Sequence, residues 1–425
     1  MRIAVASSGL GHVTRGIETW AADLGRALAA RGEDVRLCKA VGAAEHEYER
    51  VIPCWTRDSA AAATVRRLVP VPLAWRLGIG SGYGVEQASF AMGLLRLLRR
   101  ERVDLLHVQD PLLALIAQRA GRLGLIRTRT ILAHGTEESA AFQGKIRFLQ
   151  HLAPWHLEEA RSGGYAADSW TAIPNFIDTE VYRPGNSPDL RARLGIPPNA
   201  VVVLSVAAIK RDHKRIDHLL REFAGLLETL QGRGACLVVA GGREAGTDEL
   251  IAEGSSLLGE NVRFLVKYPR DRMAELYRAA DVFALASLKE MMPIALLEAL
   301  ASGLPCITHD HPVLAWISGA GGRTVDMREP GSLADALAEW VGDPSTRRLI
   351  GHRGRIQVLN EFGQEVVVDR ILTYYRFVMD TDQFARDTGG LDGPALGERR
   401  YSGLPSLEDH RPGRGKPARP GSPPR

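Results

Sequence analysis

The chain reads as an α/β protein: two doubly wound domains facing each other across a cleft. Three observations predict this. Its 425 residues exceed what one hydrophobic core usually organises. Short apolar runs alternate with helical periodicity in two successive series. A stretch rich in proline and short polar residues, 185–200, separates them as a linker, giving domains at 1–184 and 201–362.

In the first series the strand candidates are Arg2 to Ala6, Asp34 to Cys38, Val103 to Val108, Thr130 to Ala133 and Trp170 to Ile173. Helical patterns lie between them at Ile17 to Arg31, Gln87 to Arg100 and Leu112 to Gly121. This alternation predicts a parallel sheet with ligands outside the carboxyl ends of its strands. The first such end carries SSGLGHVTRGIE, where Gly9, Gly11 and Gly16 let backbone amides approach an anion. It is not a dehydrogenase fingerprint, since no glycine stands at the sixth place of the motif that Gly9 and Gly11 would begin. Tyr48 to Gly84 carries little signal and is expected to hold acceptor-side loops. Gln87 to Arg100 has an apolar side and arginines at its end, a pattern that suits a membrane surface or a helix packed on the sheet; the second reading is preferred.

The second series runs through VVVLSVAAI, ACLVVAGG, VRFLVK, DVFALAS and LPCITHD. Its most informative stretch is Asp281 to Pro305. An apolar strand is followed by a polar break, and helical spacing begins at Ile294. Pro293 suits the first helical position because its missing N–H would be unpaired there. Glu290 then lies in the loop above the strand end and Glu298 inside the helix. At about 1.5 Å rise per residue the carboxylates are on the order of 10 Å apart with a helix N-terminus between them. That frame suits a nucleotide-sugar, with pyrophosphate at the helix end and the acids toward sugar and ribose. Two further stretches of this series, Thr308 to His311 and Asp380 to Asp382, contain metal-type residues, but neither is read as a metal site.

Composition narrows the class. Four scattered cysteines form no C-x-x-C spacing, which suits reduced thiols in a cytoplasmic protein. Neither a leader nor a run near the roughly 20 apolar residues of a membrane span is read in the sequence. The net charge of +4 arises in the last fifteen residues, which hold five basic side chains and no acid; nucleic-acid binding is therefore not expected. From Asp380 onward proline, glycine and charge predict a disordered tail.

Several motifs together resemble the retaining glycosyltransferases of family 4, which have the GT-B fold. Glu290-MMPIALL-Glu298 followed by ALASGLP is similar to that family's paired glutamates, with Met291, Met292 and Pro293 in place of Gly-Phe-Gly. AIPNFIDTEVYRP (Ala172 to Pro184) resembles its I-P-N-G-[VI]-D segment, Phe176 replacing glycine, with Asn175 and Asp178 in a structural turn. Gly16 and Glu18 match its G-G-x-E loop. His107, Gln109 and Asp110 match its H-x-H-[DE] segment, with glutamine at the second histidine. Ala207 and Ala208 occupy the places of a Gly-Arg pair, so the resemblance points to Lys214 as the main diphosphate cation, with Lys210 or Arg211 compensating for the missing arginine.

The resemblance implies a metal-independent transferase that uses a UDP- or GDP-sugar, needs no other cofactor, and passes the sugar to a small-molecule, natural-product or glycan acceptor. Lys214 and Glu290 would be catalytic. The donor would touch Gly11, Gly16, Lys210, Arg211, Arg215, Gly242, Lys267, Met291, Met292, Pro293, Ile294 and Glu298, and the acceptor His12, His107, Gln109, Asp110, His134 and Glu137. A last helix, 363–379, would cross back to the first domain. With the acceptor attacking on the leaving-group side, the departing phosphate takes its proton, which suits Gln109 where a base would otherwise stand. The competing readings are a GT-B epimerase or phosphorylase and an idle nucleotide-sugar-binding partner.

Overall fold

The computed structural model describes residues 1–13, 15–230 and 234–387. The first sheet comprises β1 (Arg2–Ser7), β2 (Asp34–Lys39), β3 (Glu49–Val51), β4 (Leu105–Val108), β5 (Arg129–His134), β6 (Phe148–His151) and β7 (Thr171–Ala172). All pairings are parallel, in the order β3-β2-β1-β4-β5-β6-β7. The second sheet comprises β8 (Val201–Val206), β9 (Ala235–Gly241), β10 (Val262–Val266), β11 (Val282–Leu285), β12 (Cys306–His309) and β13 (Gly322–Val325), also parallel, in the order β10-β9-β8-β11-β12-β13. Strand order reverses between β1 and β4 in one sheet and between β8 and β11 in the other. The helices that follow these strands leave on opposite faces, so a crevice opens there.

Why the strands read as continuous apolar runs is clear from the layers. Ile3 and Val5 face one apolar cluster while Ala4 and Ala6 face another, and Leu204 and Val203 divide in the same way. A sheet covered on both sides needs apolar residues at successive positions. The cluster containing Ile3 also includes Leu296, Leu297 and Phe283 of the second lobe and Val367, Ile371 and Tyr375 of the last helix. One apolar layer therefore joins the lobes.

Two chain crossings connect them. The Ile177 N–H donates to the Phe362 carbonyl at 2.9 Å, and the Gln364 N–H donates to the Ile177 carbonyl at 3.0 Å. Beyond this pairing the helix Gln364–Asp387 returns to the first lobe, where the Tyr374 hydroxyl donates to the Ser169 carbonyl and Arg370 to that of Ala172. It continues past the expected end at Met379, and the rest of the expected tail lies outside the described residues.

Three local readings gain detail. The linker stretch 185–200 contains the helix Pro188–Arg193, buries Leu190 and Ile196, and through Arg191 binds Asp281 at 2.8 Å and the Ala279 carbonyl. Pro293 is the residue before the helix Ile294–Ala301, with an extended backbone, rather than its first turn. The helix Gly82–Arg100 buries Phe90, Leu94, Leu97 and Leu98, so it packs on the sheet. Among the described residues no helix is long and apolar enough to cross a membrane.

Candidate active site

At the reversal point of the second sheet, the loop after β8 and the loop after β11 meet. Lys214 is hydrogen-bonded to Glu290 Oε1, and His213 Nε2 lies 3.5 Å from Oε2. Glu290 is 8% exposed. Burial alone would push its carboxyl up, but His213, Lys214 and Ser287 outweigh it and hold the group at about 2. The carboxylate is thus ionised at any physiological pH. The β8 loop is backbone-strained, with His213 at φ 22° and Arg215 at φ 50°. The strain turns His213 and Lys214 toward Glu290, while Arg215 turns away to donate to the Met327 carbonyl at 2.7 Å.

Glu298, one helix further in, is almost fully buried. It accepts from the Tyr277 hydroxyl at 2.7 Å and lies 3.6 Å from Arg270, which also holds Asp23 of the first lobe at 2.9 Å. Burial pushes this carboxyl up, against the pull of Tyr277 and Arg270. Two more ion pairs bridge the lobes: Lys289 with Glu137 at 3.0 Å and Arg15 with Glu244 at 3.3 Å. Gln109 donates to Asn175, whose amide donates to the Met292 carbonyl at 3.4 Å, so the loop after β4 is tied to the loop before the Glu298 helix.

The reversal point of the first sheet holds a second polar cluster. Asp110 accepts from the Ser8 hydroxyl at 2.6 Å and the Tyr83 hydroxyl at 3.2 Å. Glu86 binds Arg57 at 2.6 Å and His12 at 2.9 Å, and Arg57 lies 3.6 Å from Glu18. The Gly11 backbone, at φ 102°, runs so close to Val41 that a Cβ would sit 2.1 Å from its carbonyl oxygen.

The same architecture is found in known proteins. The structure matches sucrose-phosphate synthase from Thermosynechococcus elongatus with a TM-score of 0.72 at 19% identity, over 89% of this chain and 99% of that one. It matches Anabaena HepE, solved with UDP and glucose, at 0.68 and 15%, over 88% of this chain and 99% of that one. At such identities the likeness speaks for the fold, which is GT-B. In sequence, the profile described as Glycosyltransferase Family 4 matches residues 14–181, and that described as Glycosyl transferases group 1 matches residues 186–357. A D-inositol 3-phosphate glycosyltransferase of Corynebacterium glutamicum is 30% identical over 297 residues, 63% of this chain and 71% of the relative. The chain belongs to the group 1 glycosyltransferases of family 4. Other relatives match over shorter stretches: the chain spans 46% of the length of the Nocardia farcinica D-inositol 3-phosphate glycosyltransferase, at 34% identity over 46% of itself, and 60% of that from Catenulispora acidiphila, at 33% over 57% of itself.

Against this group 1 glycosyltransferase frame the residues read from sequence divide. Lys214, Glu290, Met291, Met292, Pro293 and Ile294 converge at the second reversal point, and His12 and Asp110 at the first. Three of the expected residues have other partners in this structure. Arg211 binds Glu253 on the helix Thr247–Leu258, outside the Lys214–Glu290 pair. Arg215 anchors the Met327 carbonyl. His107 is fully buried between the Trp20 and Tyr375 rings, with Nδ1 2.7 Å from the Tyr375 hydroxyl and its pKa pushed down by burial to about 3; it belongs to the seat of the returning helix. His134 faces Glu138 at 3.0 Å, while Glu137 reaches across to Lys289. Lys210 stays partly exposed in the β8 loop, and Lys267 is exposed at φ 55°, its N–H bonded to the Gly241 carbonyl at 2.8 Å. Gly16 and Gly242 have open space where a Cβ would go, whereas Gly241 would place one 1.7 Å from the Ala207 carbonyl oxygen. His309 and His311 bind backbone groups of Met327 and Val313.

Sequence reasoning missed His213, although it adjoins Lys214, and missed Ser8, Arg57, Tyr83 and Glu86. Arg57 and Tyr83 come from the low-signal stretch Tyr48 to Gly84, which runs into the first turn of the helix Gly82–Arg100 and where no periodicity marks them.

Proposed function

We propose that this glycosyltransferase moves a sugar from a UDP- or GDP-sugar to a polyol acceptor with retention of configuration and without a metal ion. The observation that carries the reading is the Glu290 carboxylate, held ionised by Lys214 and His213 at a strand-order reversal beside the Met291–Ile294 turn. Glu290 binds hydroxyls of the donor sugar. Lys214, with Lys210 beside it, meets the diphosphate, and the amides at the start of the helix Ile294–Ala301 add to the stabilisation of charge on the leaving group. Glu298 and Arg270 are assigned to the ribose. The bond between the anomeric carbon and the phosphate oxygen breaks as the acceptor oxygen bonds to the same face. The acceptor proton passes to the departing phosphate oxygen, so no protein base is needed. The relatives act, by name, on D-inositol 3-phosphate; a cyclitol-like acceptor is adopted here.

The test is incubation with UDP-glucose and GDP-mannose, following nucleotide release and product configuration by NMR, with and without EDTA. Retained configuration, EDTA resistance, and loss of slow donor hydrolysis in Lys214→Ala are expected. An inverted product overturns retention, and loss of turnover in EDTA overturns metal independence. Accumulation of an epimer or a sugar phosphate in place of transfer overturns the reaction assignment.

A further inference from the structure

The polar cluster at the first sheet's reversal point carries more negative charge than its own cations offset. Glu18, Glu86 and Asp110 are 4%, 0% and 0% exposed. Arg57 is the cation among them, and it is committed: its guanidinium binds Glu86 through Nη2 and Nε and lies 4.6 Å over the Tyr83 ring. His12 is held by the same Glu86, and the nearby Arg15 turns to Glu244. Arg57 Nη2 also lies 3.6 Å from Glu18 Oε1, so one guanidinium faces three carboxylates and offsets one of their charges.

Glu18 and Asp110 each keep an oxygen with nothing bonded to it. Glu18 Oε2 and Asp110 Oδ2 are buried without a hydrogen-bond partner. Burial pushes both carboxyls up, and the neighbouring Asp110 charge adds to the effect at Glu18. An unpaired buried carboxylate is costly, and the cost falls when a donor, above all a charged one, arrives. Three ligand chemistries compare simply. A phosphate brings negative charge to a negative place. A hydroxyl supplies a hydrogen bond but no charge. An ammonium group supplies up to three N–H donors and the missing positive charge. The site also lies where the loop after β1 meets the loop after β4, the expected entry for a ligand. Among the described residues no set of three or more His, Cys, Asp or Glu side chains is arranged to hold a metal ion, so an organic cation is the matching chemistry.

We propose that the acceptor is an amino-bearing polyol whose ammonium group is held between Glu18 and Asp110, in contrast to the phosphorylated cyclitol in the names of its relatives. This rests on reading the first-lobe crevice as the acceptor side of a glycosyltransferase.

The experiment is calorimetric titration of the full chain with two matched sets: streptamine, myo-inositol and D-myo-inositol 3-phosphate; and glucosamine, glucose and glucose 6-phosphate. UDP and GDP binding is measured on the same protein. In at least one set the amine should bind about tenfold or more tightly than its neutral and phosphorylated partners. Glu18→Gln and Asp110→Asn should each remove that preference while leaving nucleotide binding and the melting temperature near wild type. Because Asp110 directly precedes the helix Pro111–Arg122, Glu18→Gln decides if Asp110→Asn fails to fold. Preference for a phosphorylated or neutral partner, no discrimination in either set, or an amine preference that survives Glu18→Gln overturns the proposal. If nucleotide binding persists alongside such a result, only this inference fails; if neither nucleotide binds the wild-type chain, the donor reading fails with it.

Discussion

Replacing Lys214 with alanine removes the hydrogen-bonded cation from a carboxylate that is 8% exposed. The Glu290 carboxyl sits at about 2, against an ordinary 4.5. At about 1.4 kcal/mol per unit that displacement corresponds to roughly 3 kcal/mol. His213 supplies part of it, but its side chain is 43% exposed and water screens its share. We therefore expect Lys214→Ala to destabilise the second lobe by about 2 kcal/mol at pH 7, and by less where Glu290 escapes by taking up a proton. Hydrogen exchange of the β11 amides, which reports opening of that lobe, is the assay. Adding Glu290→Gln in the Lys214→Ala background should restore most of the loss, giving a coupling of more than about 1 kcal/mol in a double-mutant cycle. The pH dependence has a definite sign. Because folding depresses this carboxyl, its stabilisation is complete above about 4.5 and drains away as pH falls toward 2. The difference between wild type and Glu290→Gln should shrink over that window. Two effects that simply add, or a Lys214→Ala cost below about 0.5 kcal/mol, would refute the argument.

Other outcomes follow from the same geometry. Glu290→Gln should abolish transfer, and the wild-type pH–rate profile should show no Glu290 inflection between pH 4 and 8, since that group titrates at about 2. Gly241→Ala, whose Cβ would sit 1.7 Å from the Ala207 carbonyl oxygen, should cost more than about 2 kcal/mol in urea unfolding, while Gly242→Ala, facing open space, should cost less than about 1 kcal/mol. His107 is held neutral with a pKa of about 3 against 6.5; its contribution is complete above pH 6.5 and falls by up to about 1.4 kcal/mol per pH unit toward 3, and His107→Leu should flatten that slope in a pH series of unfolding curves.

What was legible in the sequence followed from parallel-sheet logic. Long apolar runs such as VVVLSV and CLVVAG are buried on both faces and show themselves without help from the rest of the chain. Strands β3, β6 and β13 did not, for they contain ERV, FLQH and GRTV, whose polar residues are accommodated only once neighbours are in place. In the same way, motifs at strand ends located both reversal points, yet the directions of Arg211, Arg215 and His107 depended on Glu253, Met327 and Tyr375, between 42 and 268 residues away. A run of four cations before a helix looks uniform in sequence. The left-handed backbone at His213 and Arg215 sorts it: Lys214, joined by His213, faces Glu290, Arg211 and Arg215 face elsewhere, and Lys210 stays partly exposed.

The two reversal points are alike in topology and opposite in electrostatics, and this bears on how substrates are oriented. At the second, Glu290 is already paired with Lys214 and faced by the His213 ring, Glu298 lies beside Arg270, and Lys210 stands near by, so an arriving diphosphate meets lysines rather than unpaired acids. At the first, two buried carboxylates exceed what Arg57 neutralises, so an anion entering there meets repulsion in a low-dielectric setting, where it is least screened. Under the proposed donor assignment, a nucleotide-sugar is therefore directed to the second lobe by charge before any shape is read. On that account, removing the excess first-lobe charge with Glu18→Gln and Asp110→Asn together should weaken discrimination against anionic acceptors without altering which lobe takes the nucleotide, because the cations proposed to receive it are on the β8 loop, which these substitutions do not touch.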